Sequence, residues 1–506
     1  MSSDQNRRTF LTTAATTAAA FTIVPRHVLG GTNFVAPSDK LTVAYIGVGT
    51  QGIRELLPML KNDDIQVVAT CDPNRGSNNY VDWDKFGLRN DIREFLGKSD
   101  WHEGIDGIPG GREIGREIVE TYYAAKRASD NYKGCATYAD FRELLEKQKD
   151  LDAVKIMTPD HLHATISIAA MKKGKHVTMH KPIANRVDEA RKVIETARQT
   201  KVATHFIPWN YHGSMDQVMS WIKDGAIGNL RAVHNWSNRP VWPQYLTLPE
   251  DRPPVPEGLD WDLWLGPTLD RPYSPHYTNA VFRGWYDFGG GSIADMGHYS
   301  LWVVFRTLKL AAPVSVEATY SSACTLVDQV STKIKNDYSF PLASTMRFKF
   351  AARDEFGPVD LWWHDGGMKP PTPEELYEDN RELPAEGMMF VGDKGKILAG
   401  FLIEDPQLIP EKKMRAYQGS QPAPHQRRDR DEQPRAFTDW IAACRGGKPS
   451  EAEFLHAGPI SEAFNLGAIA CRVGKRLEWD AQNMKITNVP EANKYLYREY
   501  RKGWEL

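Results

Sequence analysis

Residues 47–52 read Gly47-Val48-Gly49-Thr50-Gln51-Gly52, and an acid, Asp72, closes the next apolar run. The glycines answer three separate demands: a tight turn at Gly47, close approach of a ligand to the backbone at Gly49, and close helix–strand packing at Gly52. If a helix starts here, its free N–H groups around Thr50 and Gln51 form a seat for a pyrophosphate. A carboxylate about 20 residues on suits the 2′- and 3′-hydroxyls of an adenosine ribose and repels a 2′-phosphate. The pattern predicts an NAD site, and Arg75 keeps NADP open because a guanidinium pairs with phosphate. Farther on, Asp295 is followed by His298 and Tyr299. Both spacings return to one helical face. A base beside a carboxylate suits hydride chemistry, taking the alcohol proton as hydride leaves carbon. His298 is the favoured base and Tyr299 its rival.

The elements around these residues alternate. LTVAYI (41–46), a helix through Lys61 and IQVVAT (65–70) form a βαβ unit. A polar, Gly-rich insertion follows from Asn74 to Arg112. Helices at 113–126 and 138–147, strand 151–157, helix 161–173, strand 175–179, helix 186–199 and strand 202–207 continue the alternation. They predict a doubly wound parallel sheet, a Rossmann dinucleotide-binding domain over residues 40–210. Beyond it the pattern predicts an α+β domain, 211–506, on a mainly antiparallel open β-sheet, with strands at 229–236, 314–320, 344–350 and 359–364 and helices at 212–223, 291–307 and 434–445. Its substrate pocket is expected to open where Trp209 and Tyr211 follow the last parallel strand, aromatic faces that suit a carbohydrate. Trp261 and Trp264 read as packing. The open face of the second sheet is the expected place for homo-oligomer contacts.

Three further blocks carry a family resemblance: Thr158-Pro159-Asp160-His161-Leu162-His163, Met179-His180-Lys181-Pro182, and Gly289-Gly290-Gly291-Ser292-Ile293-Ala294-Asp295-Met296-Gly297-His298-Tyr299. With the glycine loop, the chain resembles the glucose-fructose oxidoreductase/inositol dehydrogenase (Gfo/Idh/MocA) family over roughly residues 40–350. The resemblance implies that Lys181 lies beside the nicotinamide and the substrate hydroxyl, with Thr158, Pro159 and His163 near the same pocket. His180 stands where the family has a glutamate. The family's histidine lies four residues after the aspartate, a place taken here by Tyr299, with His298 one position early. His161 and His163 form an H-x-H pair, but no carboxylate or cysteine cluster completes a metal site, so none is expected.

The 506 residues carry 63 Lys+Arg against 65 Asp+Glu, a net charge of −2, which gives no footprint for nucleic acid or an anionic membrane. A small carbohydrate is the expected partner. Five scattered cysteines form neither a disulfide framework nor a zinc pattern. Residues 1–39 begin with Arg7-Arg8-Thr9-Phe10-Leu11 and an apolar run to Val24, shorter than a membrane span and read as a twin-arginine export signal and linker to the periplasm. Such export moves folded proteins, so a cofactor could travel out bound and be regenerated in place. Three functions follow: an exported oxidoreductase of a sugar or glycoside, forming for instance a 3-keto sugar; an NAD-dependent glycosidase that oxidises, eliminates, hydrates and returns the hydride; and a non-catalytic sugar-binding protein.

Overall fold

A computed structural model describes residues 39–126, 132–207, 214–417, 419 and 437–506. The expected export signal, Trp209 and Tyr211 therefore lie outside the described residues.

Six parallel strands make the first sheet: β1 (Leu41–Ile46), β2 (Ile65–Cys71), β3 (Ala136–Tyr138), β4 (Ala153–Ile156), β5 (His176–His180) and β6 (Thr204–Ile207). Their order, β3-β2-β1-β4-β5-β6, is that of a Rossmann fold, with the reversal between β1 and β4. β1 is central, and its side chains are buried at every position except the half-buried Thr42, as a strand covered on both faces requires. The short β3 and the helix Gly87–Leu96 inside the insertion have no counterpart in the sequence reading. Three residues of β3 are too few to show a period, and the short helix lies within an otherwise polar, Gly-rich stretch.

The second sheet takes β7 (Leu230–Trp236), β8 (Ser315–Tyr320), β11 (Ser344–Phe350), β12 (Val359–His364), β13 (Gly387–Gly392), β14 (Lys396–Ala399), β15 (Gln407–Ile409), β16 (Leu477–Asp480) and β17 (Lys485–Ile486). A separate hairpin joins β9 (Cys324–Val327) to β10 (Val330–Lys333). All described pairings of the large sheet are antiparallel except β7 with β12. The helix Gly458–Val473 packs on this sheet. It is apolar over most of its circumference, so it lacks the one-sided stripe that marks a surface helix.

The two lobes are knitted by returning chain. The helix Thr438–Cys444 belongs to the second domain by sequence, yet Phe437, Trp440 and Ile441 sit in the same apolar cluster as Tyr45, Ile53 and Leu56. The first lobe is thus not confined to residues 40–210. Near the C-terminus, Arg498 donates from Nε to Glu189 Oε1 at 2.6 Å, with side-chain exposures of 3% and 1%. It also reaches the Asp287 carbonyl and the Asn185 amide oxygen. Removing one member of a buried pair strands the other's charge, which typically costs about 3–5 kcal/mol. Urea unfolding should find Arg498→Met less stable by about that much, and Arg498→Met/Glu189→Met should regain most of the loss.

Candidate active site

The glycine loop lies between β1 and the helix Thr50–Lys61, where the strand order reverses. Gly47 has φ +93°, and a Cβ there would stand 2.6 Å from the Met157 carbonyl carbon. A Cβ on Gly52 would lie 2.4 Å from the Gly47 carbonyl oxygen. The helix has no capping side chain, so its first N–H groups stay available to an anion. Asp72 binds the loop itself: Oδ2 accepts from Val48 N at 2.7 Å and Oδ1 from Asn74 N at 2.8 Å. Burial pushes its carboxyl up to about 6, against those two hydrogen bonds and Arg112. A carboxylate has about four acceptor positions, which leaves room for ribose hydroxyls. Arg75 is exposed and absent from the cleft wall, so its contribution to phosphate recognition has no support in the geometry.

The polar insertion folds over the loop. Tyr80 approaches the Cβ position of Gly49 to 3.2 Å. Arg54, on the helix that the loop opens, holds Asp82 through two hydrogen bonds of 2.8 and 2.6 Å. Asn279 of the second lobe donates to the Asn79 carbonyl. Tyr80-Val81-Asp82 thereby forms a strap beside the cleft, a role that the irregular polar sequence did not signal.

One cleft of about 570 Å³ runs from Gly47, Gly49, Thr50, Gln51, Gly52 and Asp72 to Lys181, Asp295 and Tyr299, with Thr158, Pro159 and His180 on its wall. Lys181 follows β5 and is 4% exposed. Its Nζ donates to Asp295 Oδ1 at 2.6 Å across the two lobes and lies 5.0 Å from the Tyr299 ring centre. Burial lowers the proton affinity of Lys181, Asp295 raises it and Arg283 lowers it again. Burial alone would raise Asp295, but Lys181, Arg283 and Arg239 reverse the shift and hold it near 2. Tyr299 Oη and His180 Nε2 share a hydrogen bond of 2.8 Å. Burial and the Lys181 charge keep His180 neutral.

His298, the favoured base from the sequence, is corrected by the structure. It is fully buried, bonds the Ala294 carbonyl through Nδ1 at 2.9 Å, packs against Phe206 and Phe464, and is absent from the cleft wall. The cause is a π turn over Ile293–Gly297. A π turn takes about one residue more than an α turn to come around, so Tyr299 returns to the face of Asp295 and His298 rotates into the core.

His163 is also buried behind the wall, its Nε2 facing the Thr158 carbonyl at 2.9 Å and its Nδ1 that of Pro182. It braces the turn that follows β4 and the residue after Lys181. His161 bonds the Trp264 carbonyl at 2.9 Å and packs on Trp264 and Phe288. Trp261 stacks on Trp264 with ring centres 4.9 Å apart. Among the described residues no group of three or more His, Cys, Asp or Glu is placed to hold a metal.

Three site members escaped sequence reasoning, among them Arg239, whose Nε lies 3.7 Å from Asp295 Oδ2. Arg283 donates to Asp295 Oδ1 at 2.9 Å, from a 3₁₀ turn with no motif of its own. Asp160 sits inside the Thr158–His163 block and accepts from Gly290 N at 3.0 Å. Burial pushes it from 3.8 up to about 7, despite Arg283 and Lys181. The folded protein therefore keeps a proton that the unfolded chain releases. Stability from this group is full below about pH 4 and is lost as pH rises through about 7. Asp160→Asn removes that titration. Its melting temperature relative to the parent should be higher at pH 8 than at pH 4.5, by the equivalent of at most about 4 kcal/mol.

Known proteins match both lobes. A family model described as "Oxidoreductase family, NAD-binding Rossmann fold" matches residues 115–207. One described as "Oxidoreductase family, C-terminal alpha/beta domain" matches residues 216–340. Levoglucosan dehydrogenase of Pseudarthrobacter phenanthrenivorans is 34% identical over 112 residues, 21% of this chain and 28% of the relative. A glycosyl hydrolase family 109 protein of Shewanella pealeana is 25% identical over 240 residues, 44% of each. The aligned stretches thus span less than half the length of either relative. The WlbA dehydrogenase of Chromobacterium violaceum, solved with NADH and UDP-GlcNAcA, shares the fold with a TM-score of 0.51 and 16% identity, over 88% of this chain and 97% of that one. Its nucleotide-binding lobe and its C-terminal lobe are thus each similar, in sequence order, to the Gfo/Idh/MocA oxidoreductases.

Proposed function

We propose that the protein is an NAD-dependent oxidoreductase acting on a secondary alcohol of a sugar or glycoside. One observation carries this reading: a single cleft joins a loop built for a dinucleotide to the Lys181–Asp295–Tyr299 cluster. The chain fits the cofactor, because Gly47 and Gly52 close a turn that no Cβ could enter, Gly49 leaves the backbone approachable at an uncapped helix start, and Asp72 stands at the ribose end. The bound nicotinamide supplies the hydride acceptor. Lys181 is the group that meets the carbinol oxygen and takes its proton. Asp295 orients the amine and sets its proton affinity; Tyr299, anchored on neutral His180, holds the alcohol in line. The dehydrogenase name of a relative supports the substrate class.

Mixing holoprotein with candidate sugars should raise absorbance at 340 nm, and Lys181→Met should reduce the rate by roughly 10²–10⁴-fold. Equal rates for the two proteins would defeat the reading. In the oxidation direction kcat/KM should rise with pH as Lys181 loses its proton. Asp295→Asn removes the group that raises Lys181, so the rising limb should move to lower pH.

Export with a captive cofactor belongs to the same proposal. It is supported by the Arg7-Arg8 segment and by the strap that Arg54 and Asp82 fasten beside the cleft. Mass spectrometry of the supernatant after denaturing protein purified without added cofactor should find close to one NAD per chain, and Arg54→Met should lower that ratio. An empty parent protein would rule out capture. A second reading, the redox-neutral glycosidase, is favoured by the relatives named glycosyl hydrolase family 109. It would release free sugar without an acceptor and incorporate solvent deuterium next to the oxidised carbon.

A further inference from the structure

The reacting end of the cleft holds more cations than its carboxylates balance. Lys181, Arg239 and Arg283 converge on Asp295, whose Oδ1 serves the lysine and Arg283 while Oδ2 lies 3.7 Å from Arg239 Nε. That Nε is buried and has no hydrogen-bond partner. The other carboxyl at this end, Asp160, is buried on the Gly290 N–H and, with its titration near 7, does not carry a full charge at neutral pH.

Both arginines are held by their surroundings. Arg239 follows β7; its Nη1 donates to Asn238 Oδ1 at 2.9 Å, and its carbonyl accepts from Gly366 N. Arg283 lies over the rings of Phe282 and Trp242, at 4.7 and 5.9 Å. Orienting Lys181 requires only Asp295. Two further guanidinium groups brought from separate elements to one carboxylate leave surplus positive charge in a poorly solvated place, which is costly unless an anion arrives. An oxidised nicotinamide is itself positive and adds to that surplus. A guanidinium fork matches the oxygens of a carboxylate or phosphate.

Resting on the oxidoreductase reading, we propose that the substrate carries an anionic group, a carboxylate or a phosphate, beside the carbinol that reacts, and that Arg239 and Arg283 hold it against the Lys181–Asp295 pair. The substrate class narrows to sugar acids or sugar phosphates, and Arg239 is the specificity-determining residue.

The test is calorimetric binding to NADH-loaded protein with D-glucuronate, D-glucose 6-phosphate and D-glucose as probes. At least one anion should bind ten-fold or more tightly than glucose, the preference should shrink with added salt, and Arg239→Gln should bring the ratio close to one. Comparison of glucuronate with glucose 6-phosphate identifies which anion the site takes. Glucose binding as tightly as both anions, or no binding of either anion at millimolar concentration, overturns the proposal. So does an Arg239→Gln protein that weakens all three probes equally. The parent's affinity ratio and its salt dependence stand even if that variant does not fold. Because binding is read without turnover, a protein that forms no NADH from any alcohol would defeat the oxidoreductase reading separately.

Discussion

The pairing of Lys181 with Asp295 is the contact on which the arrangement of the two lobes depends. The lysine comes from the end of a parallel strand in the first lobe and the aspartate from the start of a helix in the second, and neither is left in water. A buried ammonium or carboxylate alone would carry a large desolvation cost. The lobes must therefore meet in one register, in which Gly290 N reaches Asp160, His161 N reaches the Phe288 carbonyl and Asn185 reaches the Tyr286 carbonyl.

The glycines before Asp295 make that register sterically accessible. Gly291 has φ +69°, and a Cβ there would press into the Phe340 ring at 2.6 Å. Behind the seam, the Arg498–Glu189 pair and the helix Gly458–Val473 hold the C-terminal chain against both lobes. The cleft is thus a consequence of a rigid junction, which is what a reaction needing two groups at fixed separation requires.

Electrostatics within the cleft grade from one end to the other. At the dinucleotide end, Asp72 is a structural acceptor for its own loop, and the helix start offers backbone N–H groups. At the reacting end, cations outnumber ionised carboxylates, and buried groups are displaced from their ordinary titration: Asp295 downward, Asp160 upward and Lys181 downward. Asp295 thereby stays ionised beside Lys181, and Asp160 exchanges its proton near neutral pH.

Sequence alone determined the parallel lobe, the glycine loop, Asp72 and the order of the Lys181 and Asp295 blocks, because period, turn chemistry and motif spacing are local properties of the chain. It also placed β11 and β12 at the residues where they occur. Tertiary structure alone decided which residue after Asp295 faces the cleft. Local spacing suits a π turn as well as an α turn, and the π turn goes with His298 packed between Phe206 and Phe464 and bonded to the Ala294 carbonyl. It likewise decided that Thr438–Cys444 completes the first lobe, that the polar insertion becomes a strap, and that Arg239 and Arg283 meet at Asp295. Those contacts join residues far apart in the chain, where no local period or spacing records that they will touch.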